Sequence, residues 1–409
     1  MEMDRQTIEL LEKEYGDAFY VFDEDKYISN LNEVKTAFED IYSNIGLAYS
    51  FKTNYMPRIC QIAKDKGVLA EVVSKMEYEL ALKVGYSPNE IIFNGPIKKK
   101  EILFRAFENN SIVHFDNEDE IDCLEEFLIN HPEKTVRCAV RCNFALKGEE
   151  TSRFGINAED DNIERVYKRL FQLKGCKPIG IHCHFSTSTR SLKSYTERTR
   201  KIITVAKKVF DKHPCKYIDI GGGYFGNMSE EMKAQFSCKV PDFKEYAESI
   251  CNEMVQSFPD QKVKLILEPG TMVVADTVKF YCKVNNVKNI RGNDIVMVHG
   301  SIHNTKPMGR SRILPPYRLI PMHKGKKYFV NSADITGYTC IEDDILAYDV
   351  SGEIAVGDFI EFSNVGAYSL MYKPPFIKGQ PYILSKRNNQ YITIKRDELM
   401  EDIFSLYVF

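Results

Sequence analysis

Between residues 47 and 270 the chain repeats one rhythm: a short apolar, β-rich run, then a longer stretch with apolar residues at helical spacing. The runs read LAYSFKT (47–53), VLAEVVS (68–74), IIFNG (91–95), IVHFDN (112–117), TVRCAVRCN (135–143), PIGIHCHFS (178–186), KYIDIGGG (216–223) and KLILEPG (264–270). Parallel strands need a crossover, and strand–helix alternation supplies one at every step. Eight such units match the size of a (β/α)8 barrel, with a doubly wound open sheet as the alternative.

Past residue 275 the helical periodicity fades. VKFYCKV, DIVMVHG, KYFVNS, DFIEFS and YITIKR are separated by Gly, Asp, Asn and Pro signals, the pattern of a mainly antiparallel β domain. FYVF (19–22) joins that domain as a strand, behind a short charged N-terminal surface helix. The expected division is a barrel over 28–275 and a β-sandwich or β-barrel-like domain from 1–27 plus 276–409.

Fifty-five basic against 58 acidic residues leave a formal charge of −3, which provides no general field for nucleic acid or an anionic membrane. The basic run Lys98–Lys100 reads as a solvated loop or helix start. No apolar run is long enough for a membrane span, and the N-terminus lacks the blocks of a signal peptide. The 11 cysteines are scattered without a C-x-x-C, which points to a reduced, cytoplasmic chain with mostly buried thiols.

A parallel barrel builds its site at the C-terminal ends of its strands. The residues there are Lys52, Glu71 and Ser74, Asn94, Asp116, Arg141 and Asn143, His184 to Thr187, Gly221 to Gly223, and Glu268. Loops begin at strand exits, so polarity alone is weak, but many reactive types converge here. Lysine is rarely buried unless paired or reacted, and Lys52 ends an apolar run. Gly221, Gly222 and Gly223 let backbone N–H groups approach an anion, and a helix following them would add its dipole. They lack the spaced dinucleotide fingerprint. Glu268 can face a ring nitrogen and keep it protonated. His182 and His184 share a strand face; no third ligand has persuasive spacing, so no metal is expected. A histidine can instead stack on a planar cofactor while Ser186 or Thr187 donates to a phosphate. A Schiff-base lysine, a phosphate cradle, a carboxylate for a ring nitrogen and a stacking histidine are together the parts that pyridoxal 5'-phosphate uses.

With these motifs the chain resembles the diaminopimelate/ornithine/arginine decarboxylase family of the alanine-racemase-type fold. The resemblance runs in order through FYVFDEDKYISNL, YSFKTN, EVVSKMEYELAL, SRFGI, GIHCHF, IDIGGGY and LEPG to GYTCIEDDIL and NVGAYS. It implies that Lys52 holds the cofactor, His184 stacks on its ring and Glu268 pairs with its nitrogen. Gly221, Gly222, Gly223 and Thr187, helped by Tyr368, would bind the phosphate. Cys340 matches a cysteine that serves as an acid in the second subunit's site, which implies a homodimer with shared sites. Glu71 and Glu77 match acidic positions near the lysine and ring, and Arg141 and Arg153 match basic ones. The implied activity is α-decarboxylation of an amino acid.

The chain departs from the family at the substrate's distal end. Thr271 stands where the family has Arg after E-P-G, and Ile341 where it has an acid after the cysteine, with Glu342 and Asp344 as the later acids. Lys306 and Arg310 are the cations available for a substrate carboxylate. A specialised or conjugated amino acid is therefore the expected substrate class. A racemase of the same fold is the alternative, disfavoured by Glu268 at the ring nitrogen. A non-catalytic pyridoxal-phosphate-binding homologue is disfavoured by the presence of both Lys52 and Cys340.

Overall fold

The computed structural model describes residues 3–306 and 313–409. The chain forms two compact units, Ile28–Gly226 with Cys238–Val273, and Met1–Tyr27 with Asn227–Ser237 and Val274–Phe409.

In the first of these, eight strands pair in parallel around a closed ring. In chain order they are Ile45–Ser50, Leu69–Val72, Ile91–Phe93, Ile112–Phe115, Val136–Asn143, Cys176–His182, Tyr217–Asp219 and Lys264–Leu267. Each pairs with the next, and the eighth returns to the first. The (β/α)8 barrel read from the sequence is thus the observed fold, and the open sheet is excluded.

Strand side chains alternate between faces, so every second residue points into the barrel. One interior layer is apolar: Ala48, Ile92, Ile112, Ala139, Tyr217 and Ile266 form a buried cluster, with Leu69 and Ile179 against it. Gly180 completes that layer by omission, because a Cβ there would meet the Tyr217 ring at 2.5 Å. Two residues further along these strands the interior turns polar, with Ser50, Glu71, Asn94, His114, Arg141, His182, Asp219 and Glu268 all buried. The site is therefore set by strand register, one layer above an apolar plug.

The outer helices bury one stripe each. In Asn162–Gln172 the buried residues are Ile163, Val166, Tyr167 and Leu170, at the i, i+3, i+4, i+7 spacing of one helical face. Helix Lys75–Val84 starts where Ser74 accepts a hydrogen bond from the Glu77 N–H, and stops at Gly85 in the left-handed region. The Lys98–Lys100 run is not simply solvated. Lys100 opens helix Lys100–Glu108, but Lys98 is fully buried, 2.8 Å from Glu120 of helix Glu118–Asn130. A buried ammonium needs such a partner, and nothing near Lys98 in sequence announces it.

The second unit holds one nine-stranded, mixed and mainly antiparallel sheet. Ala18–Asp23 lies inside it, antiparallel to Val278–Ile290 and parallel to Tyr382–Arg387. Its core gathers Phe19, Val21, Tyr281, Phe359 and Leu384 under Ile8 and Leu11 of the N-terminal helix Arg5–Tyr15. Strands Tyr317–Ile320, Ile345–Ala355 and Tyr382–Arg387 add to those visible in the sequence. The segment Asn227–Ser237, within the barrel span by sequence, groups with this unit.

Candidate functional site

The first barrel strand runs into a 3-10 turn, Phe51–Thr53, which puts Lys52 at the strand's C-terminal end. Its Nζ donates to Glu71 Oε2 at 2.6 Å and to Ser50 Oγ at 2.7 Å, and Ser50 donates to the same carboxylate oxygen at 2.5 Å. The other oxygen of Glu71 accepts from Asn94 Nδ2 at 3.1 Å, which also donates to Glu268 Oε1 at 2.5 Å. A continuous hydrogen-bonded chain thus joins a lysine amine to a buried carboxylate across the first, second, third and eighth strand ends.

The loop after the seventh strand carries Gly221 to Gly223. Gly221 has φ +70°, and a Cβ on Gly222 would lie 2.3 Å from the Glu268 carbonyl oxygen, so neither position takes a side chain without rearrangement. Six residues, 224–229, separate the glycines from the next helix, the short Glu230–Lys233, so no helix starts at the glycine loop. The Gly222 N–H donates to His184 Nδ1 at 2.9 Å. That bond fixes Nδ1 as an acceptor and leaves any ring hydrogen on Nε2. Burial, with the nearby charges of Arg141 and Lys52, pushes the His184 pKa well below the usual imidazole value. The ring is neutral, and its side chain is still 22% exposed, so it has a surface to offer.

Beside it lies a cavity of about 270 Å3, lined by Arg141, Phe154, His184 and Thr187 among others. Thr187 Oγ1 is buried there without a hydrogen-bond partner, an idle donor of the sort an anion would use. Arg141 Nη2 donates to the His184 carbonyl at 2.9 Å, and its Nη1 faces Asp116 at 3.5 Å. The Arg141 and Arg153 guanidinium groups both stack on Phe154, at 4.7 and 4.3 Å from the ring centre. Asn143 Nδ2 holds that loop through the Ser152 and Phe154 carbonyls.

The polar layer contains more than the sequence motifs announced. His114, His182, Asp219 and Glu268 are all buried, with one potential ligand atom from each within 4.8 Å of the others. His114 Nε2 meets the Tyr217 hydroxyl at 2.8 Å, and His182 Nε2 lies 3.5 Å from Glu268 Oε1. His114 and Asp219 sit alone on apolar strands, but each stands two residues after an interior apolar residue. That spacing is the signal that marks them. Glu77 is also buried; its carboxylate accepts from the Val73 N–H at 2.7 Å, and burial pushes its pKa up to about 7.

Cys340, Glu342, Asp344, Lys306 and Tyr368 belong to the other unit, and Arg310 lies outside the described residues. Cys340 and Glu342 are exposed, and Tyr368 adopts φ +66°. Burial lowers the Lys306 pKa. Asp344, expected at the substrate, is buried within its own unit. Its Oδ1 accepts from Ser301 Oγ and the Ile302 N–H, and its Oδ2 from the Thr339 N–H and Oγ1. Both oxygens are committed, so Asp344 anchors the loop that carries Cys340.

A closed parallel barrel with an amine, an idle hydroxyl, a side-chain-free loop and a buried carboxylate at one mouth suits an aldehyde cofactor bearing a phosphate. The chain belongs to the pyridoxal-dependent decarboxylases, whose pyridoxal binding domain matches residues 26–275. Its relatives include a diaminopimelate decarboxylase of Aquifex aeolicus, 25% identical over 88% of this chain and 84% of the relative. The L-glutamyl-(BtrI acyl-carrier protein) decarboxylase of Niallia circulans is 26% identical over 98% of this chain and 96% of the relative. The crystal structure of diaminopimelate decarboxylase from M. jannaschii superposes with a TM-score of 0.86, at 24% identity, over 98% of this chain and 94% of that one, a likeness of fold.

Proposed function

We propose that this chain is a pyridoxal 5'-phosphate-dependent α-decarboxylase of an amino acid. The observation that carries the reading is the continuous link from Lys52 Nζ through Glu71 and Asn94 to Glu268, which holds the covalent anchor and the ring-nitrogen partner in one network. Bound there, the cofactor supplies an aldehyde for the amine and a ring that accepts the electron pair left by departing CO2.

The protein's own groups do the rest. Lys52 Nζ is the anchor, and Glu71 orients it. Glu268 holds a proton at the ring nitrogen by charge pairing. The neutral, partly exposed His184 ring would cover one face of the cofactor. The glycine loop and Thr187 would receive the phosphate. The apolar layer beneath excludes water from the developing charge. Cys340, reaching the partner's site in a homodimer, returns a proton to the α-carbon. The protein acts in the cytoplasm; among the described residues no helix is long and apolar enough to cross a membrane.

Ile341 and the committed Asp344 bear on the substrate. Neither offers a free carboxylate to a distal ammonium, and of the acids expected there the exposed Glu342 remains; this weakened acidic end favours an amino acid without a second cation, such as a carrier- or conjugate-linked one. The named activities of the relatives, on diaminopimelate and on a carrier-bound glutamyl group, bracket the choice.

The test is CO2 release by cofactor-loaded protein across diaminopimelate, ornithine, lysine, arginine, glutamate and carrier-linked glutamate. Turnover of at least one, abolished by Lys52→Ala together with the borohydride-reducible linkage, supports the reading. A colourless protein that binds no cofactor refutes it.

A further inference from the structure

We propose that Asp219 is a positioning residue that carries a proton at neutral pH and donates it toward Glu268, so that Glu268 faces the ring nitrogen as the ionised member of the pair. The inference rests on the role given to Glu268 above and adds a partner that role does not include.

Geometry forces the question. Asp219 is 0% exposed and Glu268 2%, and a ligand atom of each lies within 4.8 Å of the other. No Lys or Arg pairs with either among the described residues. Two ionised carboxylates this close, away from water, repel strongly, and one shared proton removes the repulsion.

The hydrogen bonds say which one holds it. Glu268 Oε1 accepts from the Asn94 amide at 2.5 Å, and neither Glu268 oxygen is both buried and without a partner among the described residues. Asp219 Oδ1 accepts from the Gly221 N–H at 2.9 Å, while its Oδ2 is buried with no donor in range. An oxygen with nothing to accept is where an O–H sits without loss. Arg141 is near enough for its charge to act on Glu268, whereas no cation is among the influences on Asp219. His182 and His114 are driven neutral, chiefly by burial. The Cys183 thiol and the Tyr217 and Tyr224 phenols are kept protonated, again chiefly by burial. Burial first, then the charges of Glu268 and Glu71, raise the Asp219 pKa well above the carboxylate range.

A protonated Asp has the shape and hydrogen-bonding pattern of Asn, which gives the test its two arms. Asp219→Asn keeps the acceptor for Gly221 and a donor for Glu268. Cofactor affinity, by spectral titration, and kcat/KM are expected within about threefold of wild type. Asp219→Ala removes both bonds and is expected to weaken cofactor binding by roughly tenfold or more.

The second arm needs no cofactor. Folded Asp219 binds its proton more tightly than unfolded Asp219, so its contribution to stability falls as pH rises through and beyond the ordinary carboxylate range. Asp219→Asn lacks that slope, and its melting temperature should gain on wild type between about pH 5 and about pH 8. Infrared spectra of the apo protein should show a protonated-carboxyl stretch that Asp219→Asn removes.

An Asn variant as damaging as the Ala variant overturns the proposal. So does an unchanged carboxyl stretch, or stoichiometric metal in purified protein that Asp219→Asn releases. Failure of the wild-type protein to bind cofactor would strike the decarboxylase reading instead, and the melting and infrared results would still decide the state of Asp219.

Discussion

Lys52 Nζ and Glu71 Oε2 stand 2.6 Å apart, with the lysine side chain 33% exposed and the glutamate 1%. The carboxylate is the fixed partner and the amine the one with room to move. Glu71→Ala removes the acceptor for Lys52, Ser50 and Asn94 at once. A charged hydrogen bond is worth about 1.5–3 kcal/mol, so cofactor loading or turnover should fall roughly ten- to hundredfold. Absorbance titration with pyridoxal phosphate and CO2 release measure the two quantities separately.

Gly222→Ala places a methyl 2.3 Å from the Glu268 carbonyl oxygen. Overpacking of this kind costs about 1–3 kcal/mol, and here it also pushes the Gly222 N–H away from His184. The expected result is a lower melting temperature and a larger loss of affinity for pyridoxal phosphate than for the unphosphorylated aldehyde. Equal losses for the two ligands would remove the glycine loop from the phosphate site.

Lys98 and Glu120 form a buried pair at 2.8 Å. Lys98→Met leaves Glu120 buried and unpaired, and the cost of breaking such a pair is about 3–5 kcal/mol. Adding Glu120→Leu should recover most of the loss. A double variant no better than the single one, in urea unfolding, would contradict this account of the pair.

Glu77 has a pKa raised to about 7 by burial, so the folded chain holds its proton more tightly than the unfolded chain does. Its contribution to stability is greatest below the unfolded carboxylate range and is lost as pH rises toward that value. Glu77→Gln should flatten this part of the stability–pH curve. Melting temperatures of both proteins across that window give the answer.

Asp344 holds four donors from Ser301, Ile302 and Thr339. Asp344→Ala should release the loop that bears Cys340, at a cost of at least the ~1.5–3 kcal/mol of one charged hydrogen bond. Faster alkylation of Cys340 and a lower melting temperature are the expected signs.

The barrel was legible because its strands are buried on both faces and read as unbroken apolar runs. Lys52, Glu268, His184 and the glycine triplet could be found because each ends such a run. His114 and Asp219 were less visible. Each is a single polar residue whose partners come from other strands, and only closure of the ring brings them together. Lys98 was misread for the same reason, since Glu120 lies on a later helix. The strand Ile345–Ala355 escaped because it is interrupted: Asp349 and Gly352 have positive φ, and its pairing with Lys327–Thr336 shifts register three times. Such a strand alternates poorly, and period-two patterning cannot find it.

The placement of Ala18–Asp23 has a consequence for how the protein is made. That strand leaves the ribosome ahead of the barrel, yet its two neighbours, Val278–Ile290 and Tyr382–Arg387, are translated after it. The barrel segments are synthesised between them. During translation Ala18–Asp23 waits for its antiparallel neighbour until residue 290 has emerged, and for its parallel one until residue 387. The barrel therefore has all its strands in hand before the sheet does, and a chain stalled before residue 382 lacks the parallel neighbour that Ala18–Asp23 requires.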